Sequence, residues 1–79
     1  MAQYTLDLHF IGGAVQKPKP VYHLIDEYAK DHIFTASSLM EIYDFCKNHT
    51  PRITNNHIRF LIPERAKALW HSISNYDTK

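Results

Sequence analysis

The chain has 79 residues, 44% of them hydrophobic, with a formal net charge of +1 and one cysteine. That is room for one domain spanning 1–79 and one small core, worth about 3–5 kcal/mol of stability. The composition excludes a disordered tail, a transmembrane segment and an intrachain disulfide. With a lone Cys46 and no basic-then-apolar leader, the chain reads as soluble and cytoplasmic, with no membrane partner.

Thr5-Leu6-Asp7-Leu8-His9-Phe10-Ile11 alternates polar and apolar residues, which predicts a strand with Leu6, Leu8 and Phe10 on one face. Gly12-Gly13 then allows a sharp turn, and residues 12–20, with Lys17-Pro18-Lys19-Pro20, read as a stiff surface connector. Val21, Leu24, Ile25, Tyr28 and Ala29 have helical spacing, which predicts a first helix opening at Pro20. A second helix follows Ile33-Phe34, with Thr35 or Ser38 as its cap. Ser38 and Glu41 have capping-box spacing, and Leu39, Ile42, Tyr43 and Cys46 form its apolar stripe, with Met40 and Phe45 off it. His57–Ile62 alternates less cleanly and reads as a second strand. Pro63 can open a third helix with the stripe Ala66, Leu69, Trp70 and Ile73, and residues 75–79 read as a frayed tail. The expected fold is α+β in the order β-α-α-β-α, a two-stranded antiparallel sheet covered by three helices. The initial strand would be an exposed edge, through which a homodimer could form.

Charge is unevenly spread. Residues 1–46 hold three lysines against six carboxylates, a net of −3, and residues 47–79 hold six cations against two carboxylates, a net of +4. One acidic and one basic pole are expected, either of which can meet a partner of opposite sign.

No catalytic constellation is present. Cys46-x-x-His49, with His57 nearby, has ligand-like spacing, but zinc needs about four ligands and no fourth is evident. Cys46 on an apolar stripe is a poor nucleophile. Asp26, Glu27 and Asp31 read as a solvated face, and Gly12-Gly13 lacks a phosphate-binding context. No enzyme activity, cofactor or metal is expected.

Two binding readings remain. In the first, the protein is a non-enzymatic adaptor or stoichiometric inhibitor of a protein partner. Its contacts would be the acidic face Asp26, Glu27, Asp31, Glu41 and Asp44 and the off-core aromatics Tyr22, Phe45 and Tyr76. Small proteins of this build are common in phages and mobile elements, where many block host defence. An anti-CRISPR-like role is therefore the base-rate expectation, resting on no particular residue.

In the second, the run Phe34–Tyr43 followed by Thr50–Arg59 resembles the helix-turn-helix of winged-helix repressors. The resemblance implies a transcriptional regulator reading base edges with Thr54, Asn55, Asn56 and Arg59, and holding phosphates with Arg52, Arg65 and Lys67. Pro63 would cut that recognition helix short. The two readings differ structurally: the first expects a strand over 57–62, the second a helix.

Overall fold

The computed structural model describes residues 3–13 and 17–77, with the side chain of Asp77 left aside. In chain order the elements are β1 (Tyr4–Ile11), β2 (Lys19–Asp26), β3 (Asp31–Ala36), α1 (Leu39–Asn48), a 3-10 turn (Asn55–His57), β4 (Ile58–Leu61) and α2 (Glu64–Asp77). The sheet has four strands in the order β3-β2-β1-β4. β1 pairs antiparallel with β2 and parallel with β4. β3 pairs antiparallel with β2, with a register shift at Leu24/Ile25.

The fold is α+β, but three expectations are overturned. The helix expected from Pro20 is a β-hairpin: β2, a turn at residues 27–30, and β3. Val21, Tyr22 and Ile25 are β-branched or aromatic and fit a pleated surface, and partners on both sides of β2 outweigh a helical spacing of apolar residues. The two-stranded antiparallel sheet under three helices is therefore a four-stranded mixed sheet under two. β1, expected at the edge, lies inside the sheet, so the edges are β3 and β4. The chain returns to β1 only after crossing by way of α1, which is why β4 runs parallel to it.

The connector expected over 12–20 ends in strand, since Lys19 and Pro20 belong to β2; residues 14–16 lie outside the described residues. The tail expected over 75–79 begins as helix, α2 running to Asp77, and residues 78–79 lie outside the described residues.

Strand alternation sorts the side chains. Tyr4, Leu6 and Leu8 of β1 share a face with Tyr22 and Leu24 of β2, Phe34 and Ala36 of β3, and Ile58 and Phe60 of β4. These residues pack with Leu39, Ile42, Tyr43 and Cys46 of α1 and Ala66, Trp70 and Ile73 of α2. Leu69, placed by its spacing on the α2 stripe, is 53% exposed. α1 opens at Ser38, whose hydroxyl accepts from the Met40 N–H at 3.1 Å.

The segment between α1 and β4 contains a cis Thr50–Pro51 bond and is tied down at several points. The Ile53 N–H donates to the Cys46 carbonyl at 3.1 Å, and Ile53 is buried. The Trp70 indole N–H donates to Asn55 Oδ1 at 2.9 Å, and Arg52 donates to the Tyr43 hydroxyl at 3.1 Å. Trp70 also meets Tyr43 and Phe60 edge-on, each at 5.5 Å.

In the β2–β3 turn Asp26 accepts from the Tyr28 and Ala29 N–H groups, and Lys30 has φ 58°. A left-handed conformation is costly for lysine and free for glycine, while its exposed pairing with Glu27 is weak. Lys30→Gly is expected to raise stability by roughly 0.5–1 kcal/mol, read from urea unfolding. Leu24→Ala, at a fully buried site, is expected to cost about 2–5 kcal/mol and leave the chain largely unfolded at 37 °C.

Candidate functional site: a β arm over an apolar groove, and a histidine row

β4 pairs with β1 only from Tyr4 to Asp7, and β3 pairs with β2 only from Asp26 back to Tyr22. Beyond those limits His9–Ile11 pairs with Lys19–Val21 alone. The result is a two-stranded arm projecting past the rest of the sheet. Phe10 on this arm is 64% exposed and Ile11 60%. Alternation puts them on opposite faces of the arm. Phe10 continues the core face, but the helices cover it only in part. Leu8, Phe10, Pro20 and Tyr22 on the strands and Ala66 and Leu69 on α2 line a groove of about 790 Å³. Arg65 stands at its wall, and Lys19 is next to Pro20 on the arm. Exposed large apolar groups clustered around one concavity mark an interaction surface more than scattered ones do.

Among the described residues both helices pack on the core face, and no helix packs on the opposite face of the sheet. It carries Thr5, Asp7 and His9 of β1, Val21, His23 and Ile25 of β2, His32 and Thr35 of β3, and Arg59 and Leu61 of β4. Three imidazoles form a row across three strands. The His9 and His23 ring centroids are 5.0 Å apart, as are those of His23 and His32. Asp7 Oδ2 is 3.0 Å from His9 Nε2, and the Thr35 hydroxyl is 3.4 Å from His23 Nδ1. At the end nearest the β2–β3 turn, the Thr5 hydroxyl donates to Glu27 Oε1, and Lys30 lies 3.6 Å from Glu27 Oε2. The Thr5 bond, helped by Lys30 and Arg59, holds the Glu27 carboxyl below its ordinary pKa.

The residues expected to form an acidic face sort onto two elements. Asp26, Glu27 and Asp31 surround the β2–β3 turn, where Asp26 caps backbone N–H groups and Glu27 is engaged by Thr5 and Lys30. Glu41 and Asp44 lie on α1, lining a groove beside β3 with Phe34, Phe45 and His49. Of the three aromatics, Phe45 stacks on Phe34 at 4.4 Å, Tyr22 lines the groove under the arm, and Tyr76 is 85% exposed between α1 and α2.

Residues 50–60 hold no recognition helix; they are loop, a single 3-10 turn and the start of β4. Arg52 and Asn55 bond Tyr43 and Trp70, Thr54 bonds His57 at 3.2 Å, and Lys67 pairs with Glu64 at 3.5 Å. Asn56 is exposed, Arg59 is on the open sheet face, and Arg65 is at the apolar groove. The helix-turn-helix geometry is thus absent, and its expected contacts are dispersed.

Cys46 is buried, which pushes its thiol up to about 12, so it has neither nucleophilic nor ligand character at neutral pH. His49 Nδ1 is 2.9 Å from the Pro51 carbonyl, and His57 is held by Thr54. Among the described residues no three His, Cys, Asp or Glu side chains are placed to hold a metal ion. Among the described residues no helix is long and apolar enough to cross a membrane.

The arm and the histidine row both escaped sequence reasoning. Both depend on β2 being a strand. The signal lay in Tyr22-His23-Leu24, where one polar residue alternates between two apolar ones.

His23 titrates below its ordinary range, first because it is partly desolvated and then because His32 and His9 stand beside it, with Asp7 acting in the opposite sense. The unfolded chain takes up this proton near pH 6.5 and the folded chain only lower, so the unfolded state binds more protons between the two values. Stability is therefore expected to be full above about pH 6.5 and to decline as pH falls through the folded value. His23→Gln should flatten that part of the decline, seen as urea midpoints at about pH 7.5 and 5.5.

No protein-family model, no curated protein and no solved structure matches the chain, so its functional reading rests on this geometry.

Proposed function

We propose that this is a non-enzymatic protein-binding module, an adaptor or stoichiometric inhibitor, that grips its partner with the β1–β2 arm and the groove beneath it. The observation that carries this reading is the pair Phe10 and Leu69, both more than half exposed across one apolar groove. The β1 edge beyond Asp7 is unpaired on the β4 side among the described residues, so an extended segment can add there as a strand while its side chains enter the groove. Arg65 at the groove wall favours a segment with apolar anchors and a carboxylate beside them. This moves the expected contact from the acidic residues to the groove. Asp26 and Glu27 have local structural partners, whereas Phe10 and Leu69 at the groove are largely exposed. A phage or mobile-element role in blocking host defence fits a small binder of this kind and is part of the proposal.

Phe10→Asp and Leu69→Asp alter exposed side chains and are expected to change stability by less than about 0.5 kcal/mol. In a pull-down from host lysate read by mass spectrometry, each should lose proteins that the unaltered chain retains. Reversing charge at Asp31, Glu41 and Asp44, which leaves the turn bonds of Asp26 and Glu27 in place, should leave those proteins bound. The opposite pattern would discard the groove and return the contact to the acidic residues.

A further inference from the structure

The histidine row is not required by the core or by the groove, since it occupies the other face of the sheet. Its construction depends on one irregularity. Leu24 pairs with Phe34, so a regular ladder would set Ile25 opposite Ile33 and His32 opposite Asp26, on the helix side. The register shift after Leu24 instead sets Ile25 opposite His32 and brings this ring onto the open face beside His23. Bulges re-aim side chains in this way, and they concentrate beside functional surfaces.

The surroundings of the row mix charged and apolar groups, with Val21 opposite His9, Ile25 opposite His32 and Leu61 opposite Asp7, and their charges sum to a small positive net. His9 faces Asp7 on its own strand and His23 on β2; His23 faces Asp7 and His9 on β1 and Thr35 and His32 on β3. Lys19 and Arg59 share the face by register, and Lys30 reaches Glu27 at its upper end. Three cations against Asp7 and Glu27 leave one net positive charge with neutral imidazoles, and three protonated imidazoles raise it to four. Flat rings combined with positive charge are what single-stranded nucleic acid requires, since bases stack on rings and phosphates pair with cations.

We propose that the open face of the sheet, centred on His9, His23 and His32, binds single-stranded nucleic acid in a pH-dependent manner, tightly in mild acid and weakly at neutral pH. A phosphate beside the row stabilises the protonated rings, so binding and proton uptake reinforce each other. Each ring that neutralises a phosphate steepens the salt dependence by about 0.7 in log–log slope.

The experiment is fluorescence anisotropy of a labelled oligothymidine of about 12 nucleotides, titrated with the whole chain at about pH 7.5 and 5.5 over a salt series. The expected result is at least tenfold tighter binding at the lower pH, with a steeper salt slope. His9→Gln with His23→Gln and His32→Gln should abolish the gain. His23→Lys with His32→Lys should bind at neutral pH without acid, which keeps the test valid if acid loosens the fold. Four results would overturn the proposal: no binding at either pH, binding indifferent to pH, a full gain in the glutamine variant, or equal competition by polyglutamate of matched charge. The last would point to an acidic protein instead.

Discussion

The structure depends on β1 pairing on both of its sides. From Tyr4 to Asp7 this strand has β2 along one edge and β4 along the other, and its Leu6 is fully buried opposite Leu24 and Phe60. A four-stranded sheet has two places where a strand can satisfy both ladders and bury its side chains against helices, and β1 and β2 occupy them. The cost of this arrangement appears further along. β4 is four residues long, so from Leu8 onward β1 has only β2, and the same two strands that centre the core also extend beyond it. Core and arm are consecutive parts of one hairpin.

The two faces of that hairpin differ in chemistry because strand residues alternate. One face holds Leu6, Leu8, Leu24 and Tyr22, passes under α1 and α2, and emerges at Phe10 as an apolar groove. The other holds Asp7, His9 and His23, and among the described residues no helix covers it. The partners we propose follow this division, a protein for the first face and a polyanion for the second. Rigid support is available to both, because α2 is anchored through Trp70 to Asn55, Tyr43 and Phe60. The polar loop before β4 thus serves as a brace. Its asparagine and arginine look like nucleic-acid contacts in isolation, and the indole and phenol they meet give them internal duties.

What was legible in the chain follows from local physics. The first strand announces itself through strict alternation, and α1 through a serine cap followed by a four-residue apolar stripe that is buried as spaced. α2 follows Pro63, although Leu69 escapes its stripe because the groove opens there. Residues 20–29 misled because Val21, Leu24, Ile25, Tyr28 and Ala29 satisfy a helical period while Tyr22 and Leu24 also satisfy a strand period. The Asp26-based turn, which separates the two interpretations, is a side-chain effect that periodicity does not register.

The sequence by itself determined a small α+β domain, the element types of β1, α1 and α2, and most of the helix residues that become core, while residues 57–62 stayed open between strand and helix. Those features rest on neighbours within one or two turns of chain. Tertiary structure decided the number of strands, the parallel entry of β4, the projection of the arm and the alignment of His9, His23 and His32. Each of these depends on which strand lies beside which, and strand pairing is a long-range hydrogen-bonding choice that no local pattern encodes.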